Sequence, residues 1–68
     1  MNESITLNGK PYPVAGPLGL HALLDSLGLA GKPVVVELDG RAIFPREHAT
    51  TTIRPGARLE IVTLAAGG

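Results

Sequence analysis

Alternation of apolar and polar residues predicts a β-hairpin at the start of the chain. Ile5 and Leu7 share one face of a strand over residues 4–7, and the Asn8-Gly9 pair that follows is typical of a tight hairpin turn. The returning strand, residues 10–14, contains two prolines, which donate no hydrogen bond to a neighbouring strand. We therefore predict that this second strand lies at the edge of a sheet.

One segment has the spacing of an amphipathic helix. Leu20, Leu23, Leu24 and Leu27 recur at intervals of three and four residues and so form a single stripe. Gly28 predicts the end of the helix, because glycine readily adopts the left-handed backbone that closes a helix. A helix this short is unstable alone, so we expect its leucine stripe to pack on a sheet.

The middle of the chain predicts two further strands and a connection. Residues 34–38 form the most apolar strand, in which Val35 faces away from the helix, and Asp39-Gly40 predicts a turn into a short strand over residues 42–44. Residues 45–52 have no strand pattern and predict an irregular connection with one helical turn. These elements add an antiparallel pair to the sheet.

The last predicted strand runs from residue 58 to about residue 64, and its alternation leaves Val62 and Leu64 on the outer face. One helix on a mixed sheet of four to five strands is an α+β domain, which we place at residues 1–64. Residues 65–68 read Ala65-Ala66-Gly67-Gly68 and predict a flexible tail.

Composition excludes several classes of function. The chain has no cysteine, so it forms no disulfide and performs no thiol chemistry of its own. Six basic and six acidic residues cancel, which argues against nucleic acid as a partner. His21 and His48 are too isolated to predict a metal site, and a structural role is favoured for His48. No segment predicts a membrane span or a secretory signal, so we expect a cytoplasmic protein.

In the order and spacing of its motifs, the chain resembles the ThiS family of sulfur carriers, which has the ubiquitin-like β-grasp fold and is related to MoaD. The resemblance covers nearly the whole chain. The motifs that carry it are Leu7-Asn8-Gly9, Leu23-Leu24 through Leu27-Gly28-Leu29, Val36-Glu37-Leu38-Asp39-Gly40, Phe44-Pro45-Arg46 with His48, Pro55-Gly56, Arg58-Leu59-Glu60-Ile61-Val62 and Gly67-Gly68.

Two positions depart from the pattern of the family. Asp39 stands where the family usually has asparagine, and both residues suit a turn. Ala65-Ala66 precedes the final glycine pair, whereas many members end in three glycines after an isoleucine or valine. The second departure bears on which client enzyme the protein serves.

The resemblance implies a carrier and not an enzyme. It implies that a ThiF-like adenylyltransferase of the ubiquitin-activating type uses ATP to adenylate the Gly68 carboxylate. Sulfur from a cysteine desulfurase or a persulfide donor then gives a C-terminal thiocarboxylate, which a ThiG-like thiazole synthase uses in making the thiamin thiazole. The chain itself binds no cofactor and no metal in this scheme.

Presentation of the carboxylate would be the task of the chain. Gly67, Ala66 and Ala65 are small enough to thread through a narrow channel in an extended conformation. Val35, Val62 and Leu64 are the residues that we expect to form an apolar docking patch for the partner enzymes.

Other functions remain open at this point. The chain could be another β-grasp sulfur carrier, such as the small subunit of molybdopterin synthase or a carrier for a different sulfur metabolite. It could instead be a protein modifier that is conjugated to lysines through the same end, or an interaction module in which the glycine pair has no role.

Overall fold

Seven short strands and two helical segments follow one another in a computed structural model, which describes residues 3–64. The strands are β1 Ser4–Leu7, β2 Lys10–Pro13, β3 Leu18–Gly19, β4 Val34–Leu38, β5 Arg41–Ile43, β6 Thr52–Ile53 and β7 Arg58–Thr63. The α-helix α1 spans Leu20–Ser26, and a 3-10 helix spans Pro45–Thr50.

Five of the strands form one mixed sheet in the order β2-β1-β7-β4-β5. The last strand, β7, lies at the centre, parallel to β1 and antiparallel to β4. The proline-containing strand β2 lies at one edge, as its sequence predicts, because its Pro11 and Pro13 lack the N–H that a further strand would need. The chain therefore reaches residue 64 from the middle of the sheet.

Helix α1 packs on one face of this sheet and closes the core. The leucine stripe predicted from spacing is confirmed, since Leu20, Leu23 and Leu24 are buried and Leu27 is partly buried. Residues from the sheets complete the core. They are Ile5, Val36, Ile43, Ile53, Leu59 and Ile61. The alternation predicts the inward positions on β1, β4 and β7, whereas the buried residues of β5 and β6 were not assigned to a face.

Both predicted hairpin turns place their two central residues at positive φ. The angles are 49° and 83° at Asn8 and Gly9, and 51° and 84° at Asp39 and Gly40. Such pairs match the right-handed twist of the strands they join, and Asn, Asp and Gly are the residues that adopt them most easily. The turns β1–β2 and β4–β5 are therefore specified locally.

The prediction of an irregular connection over residues 45–52 is partly wrong. The segment begins with the 3-10 helix and ends in β6, which pairs with β3 in a separate two-stranded sheet. Neither short strand was expected, because two residues are too few to show an alternating pattern. The pairing is continued by Leu20, whose N–H donates to the carbonyl of Thr51 at 2.9 Å, so the small sheet anchors the start of α1.

Three predicted strands differ at their ends from those of the structure. Strand β2 ends at Pro13, β5 spans Arg41–Ile43 where residues 42–44 were expected, and β7 ends at Thr63. Within residues 3–64, none of the helices has the length and apolar character that a membrane crossing requires. The predicted tail, residues 65–68, lies outside the described residues.

Candidate functional site

The central strand β7 leads to the last four residues, and the side chain of Asn8 binds it. Its Oδ1 accepts a hydrogen bond from the Ile61 N–H at 2.7 Å, and its Nδ2 donates to the Ile61 carbonyl at 3.1 Å. Two residues earlier on β7, the Leu59 carbonyl accepts a hydrogen bond from the Asn8 N–H at 2.9 Å. The Asn8 amide thus extends the β1–β7 ladder as a further peptide group would.

A second side chain holds the start of β7. The Asp39 carboxylate accepts from the Arg58 N–H at 2.9 Å, while the Asp39 N–H donates to the Arg58 carbonyl at 2.8 Å. Only an acceptor oxygen is needed here, and the Oδ1 of an asparagine would supply one equally well. The departure from the family pattern at Asp39 therefore leaves this contact available.

The exit of the chain from the sheet is fixed by one backbone hydrogen bond. The Leu64 N–H donates to the carbonyl of Pro33 at 3.0 Å, one residue beyond the end of β7. Together with the Asn8 and Asp39 contacts, this bond holds the strand at its start, its middle and its end. Residues 65–68 consequently follow a firmly held strand.

Two of the three predicted patch residues lie side by side on the outer face of the sheet. Val35 on β4 is directly opposite Val62 on β7, and residues directly opposite in an antiparallel pair share a face. Their side chains are 45% and 58% exposed, whereas the neighbouring Val36 and Ile61 are buried on the opposite face. The structure thus brings an apolar pair to the surface next to the end of β7.

Leu64, the third predicted patch residue, is 51% exposed and also borders a groove on the helix side. The groove measures about 870 Å³, and its other borders include His21 and Leu24 of α1, residues 29–34 and His48. Leu64 therefore stands where the sheet meets this groove. Its membership of one patch with Val35 and Val62 stays a prediction.

Sequence reasoning did not single out Phe44 as a surface residue of interest. Phe44 is 51% exposed, and the Arg46 guanidinium carbon lies 5.0 Å from the centroid of its ring, a cation–π distance. Phe44 directly follows Ile43, which opposes Val36, so continued pairing would set it opposite Val35. An aromatic residue at the end of an edge strand is the signal that could have revealed it.

The two histidines, His21 and His48, both border the groove and contact each other. Their ring centroids are 6.2 Å apart with the planes at 87°, an edge-to-face contact. His48 is buried and its Nε2 lies 3.4 Å from the Ile43 carbonyl, which fits the structural role predicted for it, whereas His21 is exposed as expected. Among residues 3–64, no three His, Cys, Asp or Glu side chains are grouped as metal ligands.

Comparison with known proteins gives the architecture a family. The ThiS family matches residues 5–68 of this chain. The Sulfur carrier protein ThiS of Thermus thermophilus is 34% identical over 64 residues, which are 94% of this chain and 98% of that protein. A protein of Porphyra purpurea described as uncharacterized protein ycf40 is 31% identical over 67 residues, 98% of this chain and 94% of its own length.

Solved structures agree with the sequence comparisons. The crystal structure of the thiamine biosynthesis protein ThiS from Geobacter metallireducens superposes with a TM-score of 0.80 at 35% identity, with 100% of both chains covered. A solution structure of a thiamine biosynthesis protein from the same organism gives a TM-score of 0.78 at 34% identity, covering 96% of this chain and 87% of that one.

The fold is therefore the ubiquitin-like β-grasp of small carrier proteins, as the sequence predicts. The chain belongs to the ThiS family, whose members are sulfur carriers that work with partner enzymes in sulfur transfer.

Proposed function

We propose that this protein carries sulfur as a thiocarboxylate at Gly68 for the biosynthesis of the thiamin thiazole. The observation that carries the proposal is the family match, which runs through Gly68 and so includes the terminal glycine pair. A role in thiamin biosynthesis is supported by the similar Geobacter metallireducens protein, which is described as a thiamine biosynthesis protein.

Activation must come from another protein, because a free carboxylate is a poor electrophile. In the proposed reaction a Gly68 carboxylate oxygen attacks the α-phosphorus of ATP on a ThiF-like adenylyltransferase, and pyrophosphate leaves. The outer sulfur of a persulfide, held by a cysteine desulfurase or another donor, then bonds to the acyl carbon as the carbon–oxygen bond to AMP breaks. A thiol such as free cysteine reduces the sulfur–sulfur bond of the resulting acyl disulfide, which frees the donor and leaves the thiocarboxylate on Gly68. The resulting thiocarboxylate delivers its sulfur to a ThiG-like thiazole synthase.

The proposed role of the chain is to present this carboxyl group. Glycine has no Cβ, so Gly67 and Gly68 would fit a channel too narrow for other residues, and Ala65 and Ala66 add only a methyl group each. The hydrogen bonds that hold β7 at Asn8 and Asp39 support this role, because they give the terminal residues a rigid starting point.

The outer face of the sheet is the proposed docking site for the partner enzymes. The exposed pair Val35 and Val62, with Leu64 beyond it, offers an apolar contact directly before the residues to be delivered. Burying such side chains at an interface is favourable because it removes apolar surface from water.

Measurement of the intact mass tests this function. The purified chain is incubated with ATP, the adenylyltransferase of the same organism, a cysteine desulfurase and cysteine. We expect a mass gain equal to the exchange of one oxygen for sulfur, and none for a variant that lacks Gly68. Thiolation of the shortened variant would contradict the proposal, and larger conjugates in place of the thiolated chain would indicate a protein modifier.

A further inference from the structure

The outer face of the sheet carries a pair of like charges beside its apolar pair. Glu37 on β4 is directly opposite Glu60 on β7, and this pair lies two residues along each strand from the Val35–Val62 pair. Both glutamates are exposed and lie on the same face, with their Cβ atoms about 5 Å apart for residues in this register. Like charges directly opposite each other on two strands destabilise a sheet.

Neighbouring charges leave this pair with a net negative charge. The next row of the same face contains Arg58 and Asp39, whose side chains carry opposite formal charges, so that row adds no net charge. The two hydrogen bonds that join these residues are made by the backbone N–H and carbonyl of Arg58. Beyond Glu37 in its own row lies Ala42, which carries no charge. The centre of the outer face therefore consists of two carboxylates next to two exposed valines.

We infer that this face docks on a partner surface that places an arginine between Glu37 and Glu60 and an apolar side chain against Val35 and Val62. A guanidinium is the complementary group, because it is planar, always charged and able to donate to two carboxylates at once. The valine pair sets the second requirement, since exposed apolar pairs gain stability when an apolar partner covers them.

The position of the face identifies the partner as the enzyme that receives the end of the chain, and to this extent the inference rests on the proposed function. Val62 precedes Gly68 by six residues, and six residues of fully extended chain reach at most about 20 Å. A protein that receives the end of the chain must therefore hold its reaction centre within about 20 Å of Val62, which a protein seated on Glu60 and Val62 can do. The charge pair would add specificity to a contact that two valines alone leave unselective.

The sharpest test compares stability and affinity in one variant. In the full chain with Glu37→Gln and Glu60→Gln, the shape of both side chains is kept and the repulsion is removed. We expect the thermal midpoint of unfolding to stay equal or rise. The Kd for the ThiF-like adenylyltransferase of the same organism, measured by calorimetry, should increase about tenfold or more. A residue pair with only a structural role would not move the two quantities in opposite directions.

A matched control removes two carboxylates elsewhere. Glu3 precedes β1 and Asp25 lies on α1, across the sheet from the outer face, and both are exposed. The variant Glu3→Gln with Asp25→Asn has the same change in net charge and should bind like the wild type. Added salt should weaken binding of the wild type more than binding of the Glu37 and Glu60 variant.

The binding measurements test the docking inference, and they do so independently of the proposed function. An unchanged Kd for the Glu37 and Glu60 variant, an equal loss in the control, or no binding by the wild type would overturn the docking inference. ATP–pyrophosphate exchange measures formation of the Gly68 adenylate and therefore tests the proposed function alone. Binding that depends on the two glutamates without any exchange would sustain the docking inference and reject the proposed function.

Discussion

The two faces of the five-stranded sheet differ in what their residues do. On the inner face, Val36, Leu59 and Ile61 are buried against the leucines of α1. On the outer face of the same strands, Val35 and Val62 are exposed, and two glutamates oppose each other. The inner face satisfies the requirements of folding, whereas the outer face retains apolar and repulsive groups that folding does not need. Such local conflicts with stability are expected at binding sites.

The largest expected effect comes from the inner face. Leu23→Ala removes a fully buried side chain of α1 and should lower the free energy of unfolding by about 2–5 kcal/mol. Val35→Ala, on the outer face, is the matched control and should lower it by less than about 1 kcal/mol. Urea denaturation followed by circular dichroism measures both. Equal losses would contradict the distinction between the faces.

The next largest effect is expected at the side-chain clamp on β7. Asn8→Ala removes both hydrogen bonds to Ile61 and should cost about 1–3 kcal/mol of unfolding free energy. Part of that loss would reflect the positive φ of residue 8, which alanine adopts poorly. Asn8→Gly separates the two causes, because glycine accepts this φ but makes no clamp. We expect its stability to lie between those of the wild type and the alanine variant, and wild-type stability would show that the clamp contributes nothing.

A change on the outer face should affect binding more than folding. Val62→Asp places a charge on an exposed position, so the free energy of unfolding should change by about 1 kcal/mol or less. Its affinity for the adenylyltransferase should fall about tenfold or more, because the apolar contact is lost and a third negative charge joins Glu37 and Glu60. Val62→Thr keeps the branched shape and should lose less affinity for the adenylyltransferase than Val62→Asp. Wild-type affinity in the aspartate variant would remove the docking face from the account.

The smallest effect is expected at Asp39. Asp39→Asn keeps an oxygen that accepts from the Arg58 N–H, and asparagine also tolerates a positive φ. The free energy of unfolding should therefore change by less than about 0.5 kcal/mol. Asp39→Ala is the contrasting variant, since it loses the acceptor, and it should be destabilised by about 1 kcal/mol or more. A large loss in the asparagine variant would show that the carboxylate charge matters.

Local pattern was enough to predict most of the architecture. The spacing of Leu20, Leu23 and Leu24 gave the buried stripe of the helix, and Asn8-Gly9 and Asp39-Gly40 gave the two hairpin turns. These features depend on residues close in the sequence. The pairing of β3 with β6 was missed, because two-residue strands have no period and lie far apart along the chain.

The candidate site was predicted less completely for a related reason. Asn8 looked like a turn residue, and its bonds to Ile61 join positions 53 residues apart, which no local pattern reports. Val35 and Val62 were assigned to the outer face from alternation alone, but their direct opposition depends on the β4–β7 register. The same register brings Glu37 and Glu60 together. Long-range pairing is thus what the structure adds to the sequence.

Fragmentation of the thiolated chain in the mass spectrometer tests the central claim most directly. After incubation with ATP, the adenylyltransferase, a desulfurase and cysteine, every fragment that contains Gly68 should carry the oxygen-to-sulfur exchange, and fragments that end before it should have unchanged masses. Sulfur located in any other part of the chain, or a chain that gains none while an authentic ThiS protein is thiolated in the same mixture, would contradict the account.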